Sequence, residues 1–148
     1  MQYSPMGKAM DVLLVEDNPG DVRLTQEALR EGKIAVNLSV AKDGIEAVDF
    51  LHRRGKFQDA PRPELILLDL NLPRRNGREV LSEIKADPNL RRIPTVIMTT
   101  SSADQDVETA YSLNANCFMT KPMELDDYMA MIHAIEDFWF TQATLPPH

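Results

Sequence analysis

A single cysteine, Cys117, stands among 148 residues, so the chain has no internal disulfide and needs no oxidising compartment. Heading a strand that reads as buried, that thiol is expected to be inert. No apolar run approaches the roughly 20 residues of a membrane-spanning helix, and no membrane partner is expected. The stretch from Met1 to Met10 lacks the apolar centre of a signal peptide, so the expected location is cytoplasmic. Basic residues are outnumbered, 16 Lys and Arg against 23 Asp and Glu, for a formal charge of −7. That balance speaks against a nucleic-acid interface, which depends on clustered cations to neutralise phosphates, and no nucleic-acid partner is expected. His52, His133 and His148 are scattered without ligand spacing, which argues against zinc. Glycine is sparse, at 6 residues, while 43% of the chain is hydrophobic. One domain with a core large enough to stand without staples is the expected outcome.

The apolar residues are grouped in short runs. Val12-Leu13-Leu14-Val15 and Leu65-Ile66-Leu67-Leu68 each end abruptly in acid, Glu16-Asp17 and Asp69. Val96-Ile97-Met98 leads into Thr99, and Cys117-Phe118-Met119 stands shortly before Lys121. Continuous runs of this length mark strands covered on both faces, as in a parallel sheet. Val36, Leu38 and Val40 alternate with polar residues instead and predict an edge strand. Helical stripes lie between: Val22, Gln26 and Leu29 after Pro19; Ile45, Val48 and Leu51; Val80, Leu81 and Ile84, stopped near Asp87-Pro88. Val107, Ala110 and Tyr111 form a weaker fourth stripe. Leu125, Tyr128, Ile132, Ile135 and Trp139 form a long fifth one. Five βα units joined by right-handed crossovers give a flavodoxin-like doubly wound α/β sandwich, a parallel sheet in the order 2-1-3-4-5.

Such a sheet places its ligand site beyond the carboxyl ends of its strands, near the switch point between strands one and three. Glu16, Asp17, Asp69, Thr99 and Lys121 should therefore converge in one crevice, although they are remote in the chain. Three adjacent carboxylates repel one another unless a cation neutralises them, and a hard divalent ion such as magnesium does so with few protein ligands. The Lys121 ammonium and Thr99 hydroxyl are placed to meet an incoming anion. Phosphoryl transfer asks chiefly for positioning and charge neutralisation around a carboxylate nucleophile. The bland reading, a solvated salt-bridge network, explains any one of these residues but not all five at four strand ends.

These segments, Val15-Glu16-Asp17-Asn18, Asp69-Leu70-Asn71-Leu72-Pro73 with Asn76-Gly77, Thr99-Thr100-Ser101 and Lys121-Pro122, together resemble the receiver domains of two-component response regulators. The likeness runs from about Asp11 to about Phe140. It implies a receiver domain over residues 11–140, an N-terminal extension over 1–10 and a tail over 141–148 without an effector domain. It implies Asp69 as phosphoacceptor in a phosphorelay, with Thr99 and Lys121 contacting the phosphoryl group. Glu16, Asp17, Asp69 and the backbone carbonyl of Asn71 would hold Mg2+. Thr99 and Phe118 would form a conformational switch, and the peptide before Pro122 would be cis. The protein would catalyse only its own phosphorylation and dephosphorylation and would otherwise not be an enzyme.

The segment Asp17-Asn18-Pro19-Gly20-Asp21-Val22-Arg23, the loop Gly55 to Pro63 and Phe138-Trp139-Phe140 are similar to the lone receivers that serve phytochrome-type histidine kinases. This implies a bacteriophytochrome as the kinase partner. With only Thr141 to His148 after the fifth helix, output is expected through protein contacts rather than a DNA-binding module. Met131, Phe138, Trp139 and Phe140 enlarge the apolar surface of that helix. Either they widen the core stripe and the tail folds back, or they build a homodimer through the fifth helix and the tail, the outcome we expect. Two rival functions remain: a pseudo-receiver that binds protein without phosphorylation, and a phosphatase of the haloacid dehalogenase class. The latter needs a titratable acid where this chain has Asn71.

Overall fold

The apolar runs pair side by side because their residues leave polar backbone groups no solvent to bond. The computed structural model describes residues 9–32, 34–70, 72, 76–100, 107–108, 111–112 and 114–142. Strands β1 (Met10–Val15), β2 (Val36–Ala41), β3 (Leu65–Leu68), β4 (Thr95–Thr99) and β5 (Cys117–Thr120) form one sheet in the order β2-β1-β3-β4-β5. Every neighbouring pair is parallel.

Side-chain alternation divides the core in two. Leu13, Val15, Ile66, Leu68 and Ile97 point to one face; Val12, Leu14, Leu65, Leu67, Val96 and Met98 point to the other. Helices α2 (Gly44–Leu51) and α3 (Gly77–Ala86) cover the first face. The second is covered by α1 (Pro19–Glu31) and α4 (Leu125–Asp137), the latter being the helix counted fifth from the sequence; a π-helical turn, Phe138–Gln142, follows it. Each fully buried aliphatic side chain contributes roughly 1.5–3 kcal/mol, so the wholly buried runs of β1, β3 and β4 anchor the sheet.

Local chemistry sets the helix starts. The Asn18 side chain accepts from the Gly20 and Asp21 amides, with Pro19 opening α1. Asp43 caps α2, and Asn76 with Glu79 forms a capping box on α3, which stops at Asp87 before Pro88.

Several sequence expectations need correction. Gln26 and Ile45 face solvent; the buried face of α1 is carried by Thr25, Ala28 and Leu29, and that of α2 by Ala47, Val48 and Phe50. Leu125 is exposed at the start of α4. Met131, expected at a dimer surface, is buried in the core beneath α4. It stands three residues after Tyr128 and four before Ile135, both buried, so it belongs to their face. Strand β5 is half-buried rather than covered on both faces, because it is the outer strand opposite β2. Of the weaker fourth stripe, positions 107–108 and 111–112 are helical, and the rest lies outside the described residues. Among the described residues no helix is long and apolar enough to cross a membrane.

Candidate functional site

The register of the parallel strands decides which chain segments meet. Val15 lies beside Leu68, Leu68 beside Ile97, and Thr99 beside Thr120. Glu16 and Asp69 therefore leave adjacent strands at the same level, with Thr99 at the end of β4 and Lys121 just past β5. Backbone bonds hold that level: the Asp69 amide donates to the Val15 carbonyl at 3.1 Å and the Lys121 amide to the Thr99 carbonyl at 2.7 Å. The result is less a shallow crevice than a nearly closed one. Glu16 is 1% exposed, Asp69 6%, Lys121 7% and Thr99 0%, while Asp17 faces solvent at the mouth.

Lys121 is the hub of this cluster. Its ammonium donates to Glu16 Oε1, to Asp69 Oδ2 at 2.9 Å and to Asp21 Oδ2 at 2.9 Å. An ammonium has three N–H donors, and each meets a carboxylate. Burial pushes the Lys121 pKa down, but the bonds to Glu16, Asp21 and Asp69 outweigh it, and the group sits above its ordinary 10.5. For Glu16 the balance is reversed. Burial raises its pKa from 4.5 to about 7 despite the Lys121 contact, and the charge of Asp69 adds to the rise. Asp21 has no place in the sequence reading of the site. The signal available was its position in the first turn of α1, where acids commonly serve the helix dipole and so attract no notice.

One oxygen each from Glu16, Asp17 and Asp69 lies within 4.8 Å of the others. Three carboxylates so close, two of them buried, exceed what one ammonium balances, so the donor set suits a divalent cation with oxygen ligands. Among the described residues this is the one such group of His, Cys, Asp or Glu. Asn71, expected to add a backbone carbonyl, lies outside the described residues. A surface cleft of about 340 Å³ among Leu51, His52, Arg53, Arg62, Pro63 and Asp87 shares no residue with the cluster, so cavity size does not mark the chemistry here.

Phe118 is half-buried, packed against the core beneath α2 and α3, and its amide donates to the hydroxyl of the exposed Tyr111 at 3.3 Å. The Lys121–Pro122 peptide is trans, not cis as the resemblance implies. Trans is the isomer that a peptide before proline favours by roughly 0.5–1 kcal/mol unless its surroundings demand the other. Gly77 brings the start of α3 against the end of β3: its amide donates to the Leu70 carbonyl at 2.9 Å. Burial also raises the pKa of the Cys117 thiol, in keeping with an unreactive residue.

Comparison with known proteins agrees with this geometry. The family model described as response regulator receiver domain matches residues 12–133. Response regulator Rcp1 of Synechocystis sp. is 49% identical over 135 residues, spanning 91% of this chain and 92% of that protein. The crystal structure of its Mn(2+)-bound form superposes with a TM-score of 0.90 at 48% identity, covering 93% of this chain and 99% of that one. The phosphorylated cyanobacterial phytochrome response regulator RcpA gives a TM-score of 0.91 at 45% identity, covering 94% and 99%. The bacteriophytochrome response regulator AtBRR gives 0.73 at 39% identity, covering 95% and 99%. With a family model matched over most of its length and a relative of this similarity, the chain belongs to the response regulator receiver domain family.

Proposed function

We propose that Asp69 accepts a phosphoryl group from a phosphohistidine of a partner histidine kinase of the bacteriophytochrome class. The observation that carries this reading is the buried Asp69 carboxylate, held 2.9 Å from the Lys121 ammonium and clustered with Glu16 and Asp17. The kinship with RcpA and AtBRR, described as phytochrome and bacteriophytochrome response regulators, supports the choice of partner. An Asp69 oxygen forms a bond to phosphorus while the bond from phosphorus to the kinase's imidazole nitrogen breaks, the electron pair returning to the ring. Lys121 neutralises charge on the transferred group, and the Thr99 hydroxyl donates to one of its oxygens. Glu16, Asp17, Asp69 and the Asn71 carbonyl would hold Mg2+, which supplies charge neutralisation to the oxygens of the transferring group. Exchange takes place in the cytoplasm, where ATP-fed kinases are charged.

Output travels through the surface of a receiver domain spanning 11–140. Thr99 drawn toward the phosphoryl group leaves room for Phe118 to turn inward, a shift between two packed states. A homodimer through the C-terminal helix and tail completes the proposal. Phe138, 51% exposed and edge-to-face with Trp139, is its best-supported contact. Trp139 and Phe140 pack partly on their own core, and Met131 is withdrawn from the surface.

Incubation with acetyl phosphate or beryllofluoride, with and without magnesium, tests the assignment against Asp69→Asn. A metal-dependent adduct absent from Asp69→Asn is expected. No adduct would favour a pseudo-receiver, and catalytic turnover of a phosphate ester would favour a phosphatase.

A further inference from the structure

Lys121 has three donors and three carboxylate partners, but the partners differ in kind. Glu16 and Asp69 belong to the acidic group suited to a cation, and both are buried. Asp21 is outside that group, yet it takes one donor of the side chain that must turn to an arriving phosphoryl group. We propose that Asp21 is a resting-state anchor of Lys121, a positioning residue that competes with the phosphoryl group for the ammonium. The proposal rests on Asp69 as phosphoacceptor.

The anchor is built into the fold rather than carried on a loose loop. Asp21 stands in the first turn of α1, its amide donating to Asn18 Oδ1 at 3.2 Å and its carbonyl accepting from Thr25 Oγ1 at 2.9 Å. Thr25, wholly buried, shares a hydrogen bond of 3.2 Å with the hydroxyl of Tyr128 on α4, itself 3% exposed. The turn that presents Asp21 is thus fastened to the neighbouring helix, α4, through the core they share.

Solvent access makes Asp21 the partner most readily exchanged. Its side chain is 23% exposed, against 1% for Glu16 and 9% for Asp69. When the ammonium turns away, water can solvate the Asp21 carboxylate, whereas a buried carboxylate left alone bears the full desolvation penalty. The Asp21 charge also opposes an incoming anion. Both effects act in one direction: neutralising residue 21 should favour the phosphoryl-bound state.

The test is beryllofluoride titration of wild type, Asp21→Asn and Asp21→Ala, each at saturating magnesium, with acetyl phosphate kinetics resolved into half-saturating donor concentration and maximal rate. Asp21→Asn should lower the half-saturating beryllofluoride concentration about tenfold, the lower end of what a hydrogen bond to a charged group contributes. The gain in acetyl phosphate kinetics should appear in the half-saturating concentration. The Lys121 ¹⁵Nζ resonance of the resting protein should move in both variants, and Asp21→Glu should restore the wild-type affinity. An unchanged or weakened beryllofluoride affinity, or an unmoved Lys121 resonance, would overturn the anchor. A wild-type protein that forms no Asp69-dependent adduct would instead overturn the phosphoacceptor reading, and this inference with it.

Discussion

Adding one methyl group at Gly77 should disturb Asp69, the proposed phosphoacceptor. A Cβ built there would lie 2.2 Å from the Asp69 carbonyl oxygen and 2.5 Å from the Leu70 Cα. The obstacles are backbone, so no rotamer change relieves them, and the start of α3 or the end of β3 must retreat by roughly 1 Å to regain ordinary contact. Gly77 is absent from the glycines with positive φ, so the reason for glycine here is space rather than backbone freedom. Overpacking of this kind costs about 1–3 kcal/mol, and a backbone clash belongs at the upper end. Replacing glycine by alanine in a helix returns up to about 1 kcal/mol through chain entropy and helix propensity. The net loss should be about 2 kcal/mol, or roughly 4–8 °C in Tm for a chain of this length. Displacement of Asp69 by even part of 1 Å should also slow adduct formation at least about tenfold. Thermal unfolding and acetyl phosphate labelling of Gly77→Ala measure both. Gly20→Ala is the comparison, since its Cβ would meet a side-chain atom, Asn18 Oδ1 at 3.2 Å, rather than backbone. If Gly77→Ala melts and labels like the wild type, the close-approach argument is wrong.

Other consequences can be measured on the same preparations. Glu16 keeps its proton in the folded state up to about pH 7, whereas the unfolded chain releases it near 4.5. Metal-free stability should therefore fall as pH rises from about 4.5 through 7, where the folded state binds more protons. Magnesium affinity, which requires the carboxylate, should rise with pH below 7 and level off above it; calorimetric titrations at pH 6 and pH 8 decide, and equal affinities would contradict the shift. Met131→Ala should cost about 2–5 kcal/mol as a core truncation, whereas Phe138→Ala should leave monomer stability nearly unchanged and weaken self-association in sedimentation. Tyr128→Phe removes the buried hydrogen bond to Thr25 and should cost about 1 kcal/mol in denaturant unfolding, leaving the Thr25 bond to the Asp21 carbonyl in place.

Much of the fold was legible because strands covered on both faces must be apolar throughout. Val12–Val15 and Leu65–Leu68 announce themselves, and the acids that end them are conspicuous for breaking the pattern. Faces of helices were harder. Gln26 and Ile45 fit a helical spacing, but their spacing does not say which side of α1 or α2 meets the sheet. Met131 looked like surplus apolar surface for the same reason, until α1 packed against α4 and enclosed it.

The sequence by itself determined which groups are candidates for the reaction, since a carboxylate, a hydroxyl and an ammonium at strand ends have few other uses together. It also determined the sheet order that gathers Glu16, Asp69, Thr99 and Lys121. Only the tertiary structure decided how those groups share charge. Burial, which no local pattern encodes, holds a proton on Glu16 up to about pH 7. The packing of α1 against the C-terminal helix brings Asp21 to Lys121 across 100 residues of chain, a contact that neither segment predicts alone.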